Sequence, residues 1–200
     1  MGVYDLDREG DTIFMTMELL DGMPLDDYLK KHPEGVSIED SWSIASDICD
    51  ALIHAHKLGV LHSDFKPGNI FYTKDKVCKV FDFQIAGAIS PDQVEAKIGV
   101  GTPTYASYEQ LIGRAPSEAD DVYAISLIVY ELFTGKHPYG RTPADIALSK
   151  NLEPGVIPFM KRRHWKALRK GLQIESSKRY QTASELKKGL FSEGLFSNFS

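Results

Sequence analysis

The chain has 200 residues, 42% hydrophobic and 26% charged, and a formal net charge of −5. That balance is ordinary for a globular domain and excludes a global positive field that would draw the chain to nucleic acid or anionic lipid. Two cysteines, Cys49 and Cys78, sit inside apolar segments and predict free thiols in a reducing compartment. No apolar run reaches the length of a membrane span. The first residues lack the basic start and apolar core of a signal peptide, so the expected location is the cytoplasm.

In chain order, Val3 to Leu6 and Thr12 to Leu20 are apolar-rich and flank Arg8-Glu9-Gly10-Asp11, which predicts a hairpin. A short helix is expected from Leu25 to Lys31, stopped near Pro33 and Gly35. Ser37, with Asp40 three residues on, is a capping signal for a long helix. Along it Ile38, Trp42, Ala45, Ile48, Leu52 and Ala55 recur at helical spacing, until Gly59 closes it. His54 and His56 lie two apart on this helix, so they point in different directions and do not converge on a metal. From Val60 to Phe83 the pattern changes to short β runs: Val60-Leu61, Ile70-Phe71-Tyr72 and Val77 to Phe81. Gln84 to Gly113 has no sustained period and reads as a long loop. Ser117 with Asp120 caps a helix that is apolar on nearly all sides from Val122 to Phe133, the mark of a helix at the centre of a core. Three further helices are expected between Pro143 and Leu190. The basic run Lys161, Arg162, Arg163, Lys166, Arg169 and Lys170 reads as a solvated helix face. The fold class is α+β, mainly α, with two small hairpins.

The chemistry concentrates in His62-Ser63-Asp64-Phe65-Lys66-Pro67-Gly68-Asn69. An aspartate can accept the proton of an attacking hydroxyl. A lysine two residues on can neutralise a moving phosphoryl group, and an asparagine oxygen can ligate magnesium. Asp82, at the end of an apolar strand, offers a second hard oxygen for a magnesium-bound nucleotide.

These motifs resemble the protein kinase family, whose catalytic loop reads H-R-D-L-K-P-x-N and whose metal motif reads D-F-G. Gly101-Thr102-Pro103-Thr104-Tyr105-Ala106-Ser107-Tyr108-Glu109 is similar to the segment ending in A-P-E. Asp121-Val122-Tyr123 is similar to the family's D-V-W, and Arg179 to the arginine that pairs with the A-P-E glutamate, here Glu109. Asp64-Phe65-Lys66-Pro67-Gly68-Asn69-Ile70-Phe71 most resembles bacterial members of the eukaryotic-like (Hanks-type) serine/threonine kinases.

The resemblance implies a kinase-like fold, with ATP and Mg2+ as cofactors and a protein as substrate. It implies a residual N-lobe hairpin and hinge over 1–20, a C-lobe over 21–190 and a tail over 191–200. By it Asp64 is the catalytic base, Lys66 supports the transferred phosphoryl, and Thr102 bonds between them. Asn69 and Asp82 hold magnesium. The backbone of Glu18 and Leu20 holds the adenine edge, with Met17 as gatekeeper and Phe71 as floor. Asp121 is expected to brace the catalytic loop.

Several family features are absent from these 200 residues. There is no G-x-G-x-x-G and no V-A-I-K-like lysine segment, so the N-terminal part of the fold is expected to be missing, with apolar surface left exposed on the first hairpin. Gln84 replaces the D-F-G glycine, Ser63 the H-R-D arginine, Tyr108 the A-P-E proline and Ser126 a helix glycine. Two rival readings follow. One is an inactive pseudokinase that acts at most as a binding module. The other is a small-molecule phosphotransferase, against which Lys66 and the Gly101–Glu109 segment both speak.

Overall fold

In the computed structural model of the chain, the structure describes residues 3–10, 12–83 and 103–191. Strands β1 (Val3–Glu9) and β2 (Thr12–Met17) form an antiparallel hairpin turned at Gly10. The turn is tighter than the sequence suggests, because Arg8 and Glu9 pair with Ile13 and Thr12 and belong to the strand. Strand β3 (Gly22–Pro24) leads directly into helix α1 (Leu25–Lys30).

Helix α2 (Ile38–Lys57) begins where Ser37 Oγ accepts the Asp40 N–H at 3.1 Å, and ends before Gly59 at φ 73°. Its buried side comprises Ser41, Ile44, Ala45, Ile48, Cys49, Leu52 and Ala55. Ile38, expected on that side, is 56% exposed because it opens the helix beyond the edge of the core, while Ile44 and Cys49 take interior places.

After the loop that carries His62 to Asn69 come β4 (Ile70–Thr73) and β5 (Cys78–Val80). They join β3 in one antiparallel sheet of order β3-β4-β5, so the second expected hairpin is a three-stranded sheet. Val60 and Leu61 are not a strand. The Val60 N–H instead bonds the Ala55 carbonyl at 3.0 Å and helps close α2. Asp47 on α2 accepts the Cys78 N–H at 3.0 Å, which fastens the sheet to the helix.

Helices α3 (Tyr108–Leu111), α4 (Glu118–Thr134), α5 (Ala144–Ser149), α6 (Arg162–Gly171) and α7 (Ala183–Phe191) complete the described chain. Every residue of α4 from Ala119 to Phe133 is buried, as its all-round apolar pattern requires. Helices α2, α6 and α7 pack against it. Trp42 seals one end of this bundle, its ring centroid 4.8 Å from Phe133, 5.0 Å from His164 and 5.3 Å from Phe191. The six basic residues from Lys161 to Lys170 all face solvent. Cys49 and Cys78 are buried free thiols. No helix among the described residues is long and apolar enough to cross a membrane.

Candidate active site

The loop between α2 and β4 carries Asp64, Lys66 and Asn69. Lys66 Nζ donates to Asp64 Oδ2 at 2.6 Å, and both side chains remain about half exposed. Asn69 is buried and its Nδ2 donates to the Asp64 carbonyl at 2.9 Å, closing the loop on itself. That bond uses the amide nitrogen and leaves Oδ1 available to a cation.

The loop is hung from Asp121, at the start of α4. Asp121 Oδ2 accepts the His62 N–H at 2.9 Å, and Oδ1 accepts the Ser63 N–H at 3.0 Å. His56 Nε2 lies 2.8 Å from the same Oδ2, and Nδ1 lies 3.1 Å from Glu118 Oε2, a charge contact without hydrogen-bond alignment. Burial lowers the pKa of this imidazole, but the hydrogen bond and charge of Asp121, with Glu118, outweigh it and leave the pKa raised. His56 is thus wedged between two carboxylates that favour its charged form, and one of them holds the loop.

Asp82 follows β5 and is exposed, with φ 61°. The residues on either side of it are fixed by His62. His62 Nε2 bonds the Phe81 carbonyl at 3.0 Å, and the His62 ring stands 4.9 Å from that of Phe83. The Phe81 N–H also bonds the Asn69 carbonyl at 3.1 Å, continuing the β4–β5 ladder by one step. Asn69 and Asp82 therefore flank the same end of that ladder. Among the described residues no three His, Cys, Asp or Glu side chains converge on a metal position. Two hard oxygens from protein, with the rest from phosphate and water, is a donor set that suits Mg2+.

Met17 ends β2, and Glu18 and Leu20 lead from it towards β3. Glu18 Oε1 lies 3.8 Å from Lys79 Nζ, and Lys79 pairs across the sheet with the half-buried Phe71. The segment after β2 and the predicted floor residue thus meet at β5. Thr102 lies outside the described residues, as does Gln84.

Beyond the loop, Glu109 and Arg179 form the expected pair at 2.9 Å, with the arginine side chain fully buried. Arg179 also donates to the carbonyls of Ala119, Gln173 and Ile174. Two supports escaped the sequence reading. One is His56, whose carboxylate partners lie on another helix. The other is Gln110 on α3, inside the stretch read as a loop. Its signal was present: Ser107 and Gln110 are a serine–glutamine capping box, with the Gln110 N–H on Ser107 Oγ at 3.1 Å and the Ser107 N–H on Gln110 Oε1 at 2.9 Å.

Comparison with known proteins gives the same direction as this geometry. The chain is 32% identical over 206 residues to serine/threonine-protein kinase PknB of Mycolicibacterium smegmatis, covering 95% of the chain. It is 31% identical over 204 residues to PknB of Mycobacterium tuberculosis, and 36% identical over 146 residues, 70% of the chain, to serine/threonine-protein kinase Pkn1 of Myxococcus xanthus. The chain spans 32% of the length of either PknB relative and 20% of Pkn1. Since the protein kinase domain model matches residues 1–192, nearly everything described above, and the relatives named are bacterial serine/threonine kinases to which it is similar, the chain belongs to the protein kinase family.

Proposed function

We propose that this chain carries the phosphoryl-transfer centre of a kinase that moves the γ-phosphoryl group of ATP to serine or threonine of a protein. The observation that carries the reading is the 2.6 Å bond from Lys66 to Asp64 on a loop suspended from Asp121. Asp64 then orients the acceptor hydroxyl and takes its proton, while Lys66 turns its charge to the phosphoryl oxygens. Asn69 and Asp82 would hold Mg2+, which supplies charge neutralisation on the phosphates. By the same reading the backbone of Glu18 and Leu20 would hold the adenine edge, with Met17 as gatekeeper and Phe71 as floor, and Thr102 would bond between Asp64 and Lys66. A cytoplasmic setting supplies the ATP and suits two buried free thiols.

The 200 residues contain neither a Gly-rich loop nor a V-A-I-K-like lysine, which in kinases hold the phosphates in reacting geometry. That fact, with Gln84 in place of glycine, favours a second reading in which the chain by itself is a pseudokinase that binds without turnover. Transfer of labelled γ-phosphate to a generic protein acceptor separates the two. The chain alone should turn over at least about 100-fold more slowly than the chain joined to the preceding kinase segment of the Mycolicibacterium smegmatis relative. Asp64→Ala should abolish the gain. A joined protein with no turnover that depends on Asp64 would contradict the catalytic reading.

A further inference from the structure

Ser63 occupies a backbone conformation that serine rarely adopts. Its φ is 61°, and the Asp64 N–H bonds the His62 carbonyl at 2.8 Å, so His62-Ser63-Asp64 forms an i to i+2 turn around a left-handed residue. Such turns are strained and persist only where neighbouring groups over-determine them. The N–H side of Ser63 is held by Asp121 Oδ1 at 3.0 Å. The carbonyl side is held by Gln110, whose Nε2 donates to Ser63 O at 2.6 Å. This carbonyl belongs to the same peptide unit as the Asp64 N–H, so fixing it fixes the plane from which the Asp64 side chain departs.

Gln110 is itself locked. Its Oε1 accepts the Ser107 N–H, which determines which end of the amide faces Ser63. Ser107 Oγ in turn donates to the buried Asp120 Oδ1 at 2.5 Å, and Asp120 Oδ2 accepts the Ser117 N–H at 2.7 Å, one turn before the aspartate that holds the other side of the loop. Both halves of the clamp on Ser63 are therefore rooted at the N-terminal end of α4. Ser63 carries no charge that could anchor the loop through its side chain, so the backbone clamp takes that place.

We infer that Gln110 is a positioning residue that holds the strained Ser63–Asp64 peptide and thereby aims the Asp64 carboxylate. This rests on Asp64 acting as the base. The informative substitution is Gln110→Glu. A glutamate still accepts the Ser107 N–H and keeps the cap of α3, but it has no N–H for the Ser63 carbonyl.

Amide hydrogen exchange of the full chain, read by NMR, gives the first test. In Gln110→Glu the Asp64 amide should exchange about tenfold faster, the loss of one hydrogen bond, while the Ser107 amide keeps its rate. An unchanged Asp64 amide would overturn the inference. So would equal acceleration at Ser107 and Asp64, which would make Gln110 a cap and nothing more. In the joined kinase, Gln110→Glu should lower kcat about tenfold with KM for ATP unchanged, and an unchanged kcat would equally overturn it. If the unmodified joined kinase transfers no phosphate, the assignment of Asp64 as base fails, and the amide comparison alone decides whether Gln110 holds the loop.

Discussion

His137 is buried with both ring nitrogens engaged. Nε2–H donates to the Thr104 carbonyl at 3.2 Å, and Nδ1 accepts the N–H groups of Tyr139 and Arg141 at 3.2 and 3.1 Å. Burial pushes its pKa down to about 4, against the opposing pull of the Thr104 carbonyl. The unfolded chain, with a histidine pKa of about 6.5, binds the extra proton first. The contribution of His137 should therefore be complete above pH ~6.5 and fall as pH drops towards 4. Urea midpoints measured at pH 7 and pH 5 should differ less in His137→Gln than in the unmodified protein. His56 carries the opposite sign, because its folded pKa is raised. Its contribution is present below pH ~6.5 and is lost as pH rises through the folded value, so His56→Gln should flatten the decline on the alkaline side. At this scale the sequence displayed Asp64, Lys66, Asn69 and Asp82 because their chemistry is packed into short motifs. His56 and Gln110 were hidden because their partners lie 65 and 47 residues away.

Between elements, two close approaches decide how helices meet. Gly135 ends α4 at φ 66°, and a Cβ there would lie 2.1 Å from the Pro33 carbonyl oxygen. Gly35, at φ 100°, would place its Cβ 2.6 Å from the Phe133 carbonyl oxygen. The turn before α2 and the end of α4 thus touch backbone to backbone. Gly135→Ala should cost about 2–4 kcal/mol in denaturant unfolding, combining left-handed strain with overpacking. The second approach joins α4 to α6, where a Cβ on Gly171 would fall 2.1 Å from Ser126 Oγ. Gly171→Ala should destabilise the protein, and adding Ser126→Gly should relieve it with a coupling of about 1 kcal/mol or more in a double-mutant cycle. Helix α2 was legible from its cap and periodicity and helix α4 from its cap and all-round apolar run, since these signals are local. Strand β3 was not, because three residues carry no period and owe their conformation to β4. Helix α3 was missed for a similar reason: one turn is too short to show a repeat, and only its capping box announces it.

For the molecule as a whole, the ion pair of Arg179 with Glu109 ties the C-terminal helices to the segment that leads into the site. The arginine is enclosed and bonds three carbonyls besides the carboxylate, so Arg179→Ala should cost about 3–5 kcal/mol by stranding Glu109 and those carbonyls. At the other end, Tyr4, Phe14 and Leu19 are exposed, Leu19 by 97%, which is the apolar surface expected on the first hairpin. Two protein oxygens do not retain magnesium unaided, so metal and nucleotide should bind together. Calorimetric titration of the full chain with ATP, with and without Mg2+, tests this most directly. Heat of binding should appear only when Mg2+ is present and should vanish in Asp82→Asn. Equal affinity with and without the metal, or full binding by Asp82→Asn, would contradict the assignment of this loop as a magnesium-nucleotide phosphoryl-transfer site.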